Sequence, residues 1–179
     1  MKEKEMDYMR KKGLLAVTAM TIGLSLISAS AVFAANWGQT GGKWFYYLDD
    51  GSVAKSTWVT SEGGTFWVNS DGAMAASQWV NDGDFWYYVD ANGLSVCNQL
   101  MKLDSKNYWF GEDGKMLKND WHQMEDGKYY YFGDDGAALT KGWHMIEGEY
   151  YYFLNSGVLA TDALVPGGYR VGADGKWVQ

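Results

Sequence analysis

The sequence predicts an all-β chain, a solenoid of stacked β-hairpins built from repeats of about 21 residues. Two beats and one bias point there. An opening residue recurs at Trp37, Trp58, Trp79, Leu100, Trp121, Trp143 and Leu164, in steps of 21, 21, 21, 21, 22 and 21 residues. Turn glycines keep the same period at Gly51, Gly72, Gly93, Gly114, Gly136 and Gly157, with Gly175 closing a shortened last repeat. The bias is compositional: 17% aromatic residues and 23 glycines beside one proline, which suits short strands separated by tight turns.

Residues 1–34 precede the repeats and read as a secretory signal peptide. Lys2, Lys4, Arg10, Lys11 and Lys12 form a basic start, residues 13–33 are almost uncharged and apolar, and Val32-Phe33-Ala34 offers small residues at both positions a signal peptidase reads, for cleavage near Ala34 or Ala35. The alternative is an uncleaved anchor, since about 20 apolar residues can span a bilayer. Either reading exports the remainder, residues 35–179. Without residues 1–34 the chain keeps 10 of its 15 basic and 19 of its 22 acidic side chains, a net charge of −9. That balance disfavours nucleic acid and anionic membranes and suits a cationic ligand. One thiol, Cys97, cannot close an internal disulfide, so stability must come from packing; Cys97 can be free, buried or paired with another chain, and burial is the expectation.

Each repeat reads as a hairpin. The opening residue starts one strand, a Gly-bearing turn such as Glu62-Gly63-Gly64 or Asp126-Gly127 follows, an aromatic run makes the second strand, and Asp-Gly or Asn-Gly ends it. A lone hairpin is marginal in water, so the hairpins must stack. Six full repeats are expected, then a short C-terminal cap over residues 164–179 containing Pro166, Gly167 and Gly168.

Alternation along the second strand sorts the aromatics into two faces. Counting from the opening residue, and allowing one extra residue in the fifth repeat, the eighth position holds Phe45, Phe66, Tyr87, Tyr108, Tyr130, Tyr151 and Tyr169. The tenth holds Tyr47, Val68, Val89, Phe110, Phe132, Phe153 and Val171, so this face is expected to be interior. On the other face the seventh position holds Trp44, Thr65, Trp86, Asn107, Tyr129 and Tyr150, and the ninth Tyr46, Trp67, Tyr88, Trp109, Tyr131 and Tyr152. Thr and Asn in place of Trp would be costly in a core, so this second face is expected to be a working surface at some repeats.

The stretches "SQWVNDGDFWYY" and "SDGAMAASQW" resemble the cell-wall-binding repeats of choline-binding proteins from Gram-positive bacteria, and the resemblance covers residues 36–179. Similar repeats occur in glucan-binding regions of glucosyltransferases and in clostridial toxin tails. The resemblance implies cages between successive hairpins, two aromatics from one repeat and one from the next, holding a quaternary ammonium group by dispersion and cation–π attraction. Taking the opening and seventh positions of one repeat with the ninth of its successor, the candidate sets are Trp37, Trp44 and Trp67; Trp79, Trp86 and Trp109; and Trp121, Tyr129 and Tyr152. The family's cage methionine falls two residues after the turn glycine, at Met74 and Met116, with Leu159 in that place for the third set. On this pairing Thr65 spoils the second seam, Leu100 and Asn107 the fourth, and Arg170 the sixth.

No Gly-x-Ser-x-Gly elbow, His-Glu-x-x-His helix or phosphate loop is present, and His122 and His144 read as copies of one solvent-facing position. The expectation is a secreted, non-catalytic wall-binding protein without cofactor or metal. Its expected partner is choline on cell-wall teichoic acid, or a related polysaccharide. Alternatives are a glucan- or other carbohydrate-binding module, and an adhesive spacer without a small ligand.

Overall fold

The computed structural model describes residues 36–61 and 63–178, so the predicted signal peptide and Glu62 of the predicted turn lie outside the described residues. Among the described residues there is no helix, and the architecture is all-β and built from repeated hairpins, as the two beats require. The antiparallel hairpins are β1 (Asn36–Thr40) with β2 (Lys43–Tyr47), β3 (Thr57–Ser61) with β4 (Gly64–Val68), and β5 (Gln78–Asp82) with β6 (Phe85–Val89). Three more follow: β7 (Gln99–Leu103) with β8 (Lys106–Phe110), β9 (Asp120–Gln123) with β10 (Tyr129–Phe132), and β11 (Gly142–Ile146) with β12 (Glu149–Phe153). The cap is a three-stranded sheet of β13 (Ala163–Val165), β14 (Tyr169–Val171) and β15 (Trp177–Val178). The chain divides after Cys97 into two compact units, each with its own set of hairpins.

The hairpin turns follow from local sequence. Gly41 and Gly42 both have positive φ between Thr40 and Lys43, and Asp104 with Ser105 do the same between Leu103 and Lys106, as a two-residue turn of type I′ demands. The Asp-Gly turns are tied internally: Asp71 Oδ1 accepts from the Ala73 N–H at 2.9 Å, and Asp135 Oδ1 from the Ala137 N–H at 3.0 Å. Two residues before each opening position from the second repeat onward, a non-glycine residue is left-handed: Ser56, Ser77, Asn98, Asn119, Lys141 and Asp162. There the chain turns out of one repeat, and each N–H is retained by a carbonyl, as with Ser56 to Asn69 at 3.2 Å.

The tenth-position column is the core. Val68, Val89, Phe110, Phe132, Phe153 and Val171 are all fully buried. Inside each unit the backbone of a hairpin also bonds that of its successor: the Met74 N–H donates to the Trp44 carbonyl at 2.8 Å, Ser95 to Thr65 at 2.8 Å, Ala138 to Asn107 at 2.8 Å and Leu159 to Tyr129 at 2.9 Å. Close approach at these contacts depends on glycine. A Cβ on Gly93, whose φ is +82°, would stand 2.7 Å from Met74 Cε and 2.9 Å from the Ala75 carbonyl oxygen.

Two expectations are corrected. Cys97 is exposed, because its neighbour Val96, 3% exposed, takes the inward side and donates its N–H to Tyr88. His122 and His144 are half-buried rather than solvent-facing: the His122 ring stacks on Trp109 at 3.8 Å, and His144 Nε2 lies 2.9 Å from the Thr140 carbonyl oxygen.

Gly93→Ala is expected to lower stability by about 2 kcal/mol or more, from left-handed strain plus overpacking. Gly127→Ala, also at positive φ but with nothing within 4 Å, should lose only about half of that in a denaturant titration. A second expectation concerns acid. The Lys106 ammonium bound to Asp135 at 2.8 Å outweighs the opposing effect of burial and, with the Ala137 N–H, holds that carboxyl below the usual carboxylate range. A depressed folded value means stability that is present above the ordinary carboxylate pKa of about 4 and lost as pH falls through the lower folded value. Thermal melts of Asp135→Asn should therefore show a shallower decline in Tm below pH 4 than the parent.

Candidate functional site

The hairpin register decides which rings meet. In β1 and β2, Trp37 pairs with Tyr46 and Gln39 with Trp44, so the opening, seventh and ninth positions share one face. Residues alternate, so the eighth and tenth positions point to the opposite face. Where hairpins stack, the first face of one repeat lies on the second face of its successor. Trp37 accordingly packs edge-on against Tyr46 of its own hairpin at 5.1 Å and Phe66 of the next at 5.3 Å. Trp58 repeats this with Trp67 at 5.1 Å and Tyr87 at 4.9 Å, Trp121 with Tyr131 at 5.1 Å and Tyr151 at 5.0 Å, and Trp143 with Tyr152 at 5.3 Å and Tyr169 at 5.9 Å. At these four seams the successor therefore presents its eighth-position ring. Its ninth-position ring turns onward with its own opening Trp.

The predicted sets are distributed as follows. Trp37, Trp44 and Met74 come together at the first seam, Met74 through its backbone bond to Trp44 and Trp37 through its contact with Phe66. Trp67 makes its ring contact with Trp58, one seam further on. Trp79 and Trp86 share a face in the first unit at 6.4 Å, whereas Trp109 belongs to the second unit, where His122 covers it. Trp121, Tyr129 and Leu159 come together at the fifth seam with Tyr151, while Tyr152 packs on Trp143. Met116, like Met74, also seats its side chain over the turn glycine of the following repeat, here Gly136.

The sixth seam, which the ninth-position pairing marks as spoiled by Arg170, holds four rings in a chain of edge-on contacts. Arg170 pairs instead with Asp162 at 3.3 Å. Trp143 meets Tyr169 at 5.9 Å and 88°, Tyr169 meets Trp177 at 6.2 Å and 82°, and Tyr150 meets Trp177 at 6.3 Å and 82°. Tyr150, Tyr169 and Trp177 are 46%, 48% and 38% exposed, unusual values for rings in mutual contact. Met145, paired with Tyr150 across the hairpin, extends the same face. Trp177 lies two residues after Gly175, in the column that holds Met74 and Met116, so the glycine beat in the sequence already marked it.

Electrostatics distinguish the seams further. Lys43 reaches Asp71 at 3.3 Å across the first seam, and at the sixth the polarity reverses, Glu149 pairing with Lys176 at 3.3 Å. At the fourth seam Leu100 replaces the opening Trp and Asn107 the seventh aromatic, and burial of His122 on Trp109 lowers the imidazole pKa despite nearby Asp120. A neutral imidazole thus covers that indole at neutral pH. Rings set edge to face with outward π-surfaces attract cations, most strongly a large, weakly hydrated one bearing methyl groups.

Family models described as choline-binding repeats match residues 52–94 and 137–177, and, in a second model, residues 97–143. Among solved structures, choline binding protein F from Streptococcus pneumoniae is 31% identical with a TM-score of 0.67, the match covering 82% of this chain and 48% of that one. The present chain thus spans about half the length of that relative. The choline-binding domain of CbpL from the same organism aligns at 24% identity and a TM-score of 0.52, over 82% of this chain and 98% of that one. Alternansucrase, solved with isomaltotriose, aligns at 21% and 0.55, over 59% of this chain and 10% of that one. The last two likenesses show the fold. Comparison with curated protein sequences finds no significant match. With its 21-residue hairpins, its aromatic seams and family models matched over most of its length, the chain belongs to the choline-binding repeat family.

Proposed function

We propose that this protein is an exported, non-catalytic wall-attachment module that holds choline-like quaternary ammonium groups of teichoic acid in its aromatic seams. The observation that carries the reading is the sixth seam, where edge-on contacts run from Trp143 to Tyr169, Trp177 and Tyr150 in turn, with three of the four rings substantially open. The first seam, with Trp37, Trp44, Phe66 and Met74, and the fifth, with Trp121, Tyr129, Tyr151 and Leu159, repeat the plan. Tyr129 is 40% exposed.

Magnitudes favour a multivalent anchor. Three ring contacts at about 0.5–1 kcal/mol each, with modest burial of methyl groups, correspond to a single-site Kd on the order of millimolar. Several such seams facing a polymer that repeats one head group gain effective concentration, and avidity rises about 100-fold or more. Acidic excess in the repeats adds long-range attraction for the cation. Membership of the choline-binding repeat family supports the ligand, and the basic start with its apolar run, residues 1–34, supports export.

The protein is expected to be retained on a quaternary-amine resin and eluted by free choline but not by equimolar sodium chloride, with no retention on dextran. Retention on dextran with none on the resin would replace the reading with a saccharide-binding one. Trp177→Ala and Tyr150→Ala, both at exposed positions, should each weaken choline binding at the sixth seam about fivefold or more in an NMR titration while leaving the melting curve nearly unchanged. Intact mass of the protein collected from culture medium should correspond to a chain starting at Ala35 or Asn36; a mass that includes residues 1–34 would rule out cleavage.

A further inference from the structure

The second seam departs from the cage plan in four places at once. Its seventh position is Thr65, paired across the hairpin with Thr60, their hydroxyl oxygens 3.4 Å apart. In the column of Met74 and Trp177 stands Ser95, whose N–H donates to the Thr65 carbonyl. Third, the next hairpin presents Asp82 to this seam, and Asp82 Oδ2 accepts the Trp58 indole N–H at 2.9 Å. Last, the same face of that next hairpin carries Phe85, 48% exposed and directly opposite Asp82 in the register, where the first seam has Gly64.

These changes act in one direction. Losing the seventh-position ring removes a wall that would contact a methyl group, and the hydroxyl that replaces it is a hydrogen-bond acceptor. Asp82 adds an anionic acceptor fixed in place by Trp58, and a carboxylate with one lone pair engaged has about three acceptor directions left. A trimethylammonium group has no N–H to offer such a carboxylate, so its cation would face Asp82 across methyl groups. A protonated amine that keeps at least one N–H satisfies the carboxylate with a charge-assisted hydrogen bond and still lies against Trp58 and Phe85.

We infer that the second seam is a separate binding site, formed by Trp58, Thr65, Asp82 and Phe85, for protonated amines that retain an N–H, in preference to quaternary ammonium groups. The inference is independent of the sixth-seam reading, since the two seams share no residue. Neutral sugars, which stack on indoles beside carboxylates, are the competing class.

The Trp58 indole N–H is a direct reporter because it donates to the carboxylate in question. In ¹H–¹⁵N spectra of the whole protein, N,N-dimethylethanolamine and ethanolamine are expected to shift the Trp58 indole resonance saturably. Choline, one methyl larger than the first, should need at least fivefold higher concentration for the same shift. Asp82→Asn should abolish that preference while leaving choline-induced shifts of Trp143 and Trp177 unchanged, which separates this site from the sixth seam and shows the variant is folded. Glucosamine shifting Trp58 where glucose does not would assign the amine to an amino sugar and support the inference. Equal response to glucose and glucosamine, choline binding at Trp58 as tightly as dimethylethanolamine, a preference that survives Asp82→Asn, or no response to any amine at 100 mM would each overturn it.

Discussion

One contact organises the fold: an indole wedged between two hairpins. Trp37, Trp58, Trp121 and Trp143 each lie edge-on to the ninth-position ring of their own hairpin and to the eighth-position ring of the next, as Trp58 does with Trp67 and Tyr87. Edge-to-face ring pairs contribute about 0.5–1.5 kcal/mol beyond the area they bury, and a two-stranded hairpin alone is barely stable. The wedge is therefore what makes a hairpin a folded unit, together with backbone bonds such as Met74 to Trp44. Beneath it lies the column of fully buried residues headed by Val68 and Phe132.

The exposed aromatic face is a consequence of the same register. Positions seven and nine share a side of the strand, but the ninth is drawn inward by its cross-strand Trp, so the seventh is left at the rim. Rim residues can change without disturbing the wedge or the core. The seams use that freedom. Trp44, Tyr129 and Tyr150 keep an aromatic rim, Thr65 with Asp82 makes a polar and acidic one, and Leu100 with His122 closes the fourth seam over Trp109. A single backbone plan thus presents different chemistry at successive levels within each compact unit.

The cap follows the same logic with altered pieces. Leu164 stands in the opening position and is 74% exposed, while Tyr169 supplies the eighth-position ring and the added strand β15 brings Trp177 against Tyr150 and Tyr169. An open aromatic cluster thus arises where the repeat is least regular. Strict column counting, which takes its third ring from the ninth position, finds Arg170 there and passes the seam over.

By itself the sequence determined the repeat period, the hairpins, the turn positions and the buried tenth column, because each depends on local conformation or on strand alternation. Positive φ at Gly93 and the Asp-Gly turns are written in residue type, and a period of two assigns Val89 and Phe153 to one face without reference to anything distant. It also marked Trp37, Trp44, Met74, Trp121, Tyr129 and Leu159 as neighbours at their seams. Only the tertiary structure decided which face of a hairpin meets the next, and hence that Phe66 and Tyr151, not Trp67 and Tyr152, touch the opening Trp. That choice lies in the path of the chain between hairpins, through left-handed residues such as Ser56 and Lys141 whose types do not announce it. The exposure of Cys97 and the burial of His122 on Trp109 have the same origin: alternation divides residues between two sides, but which side faces a neighbour is known only when the hairpins are stacked.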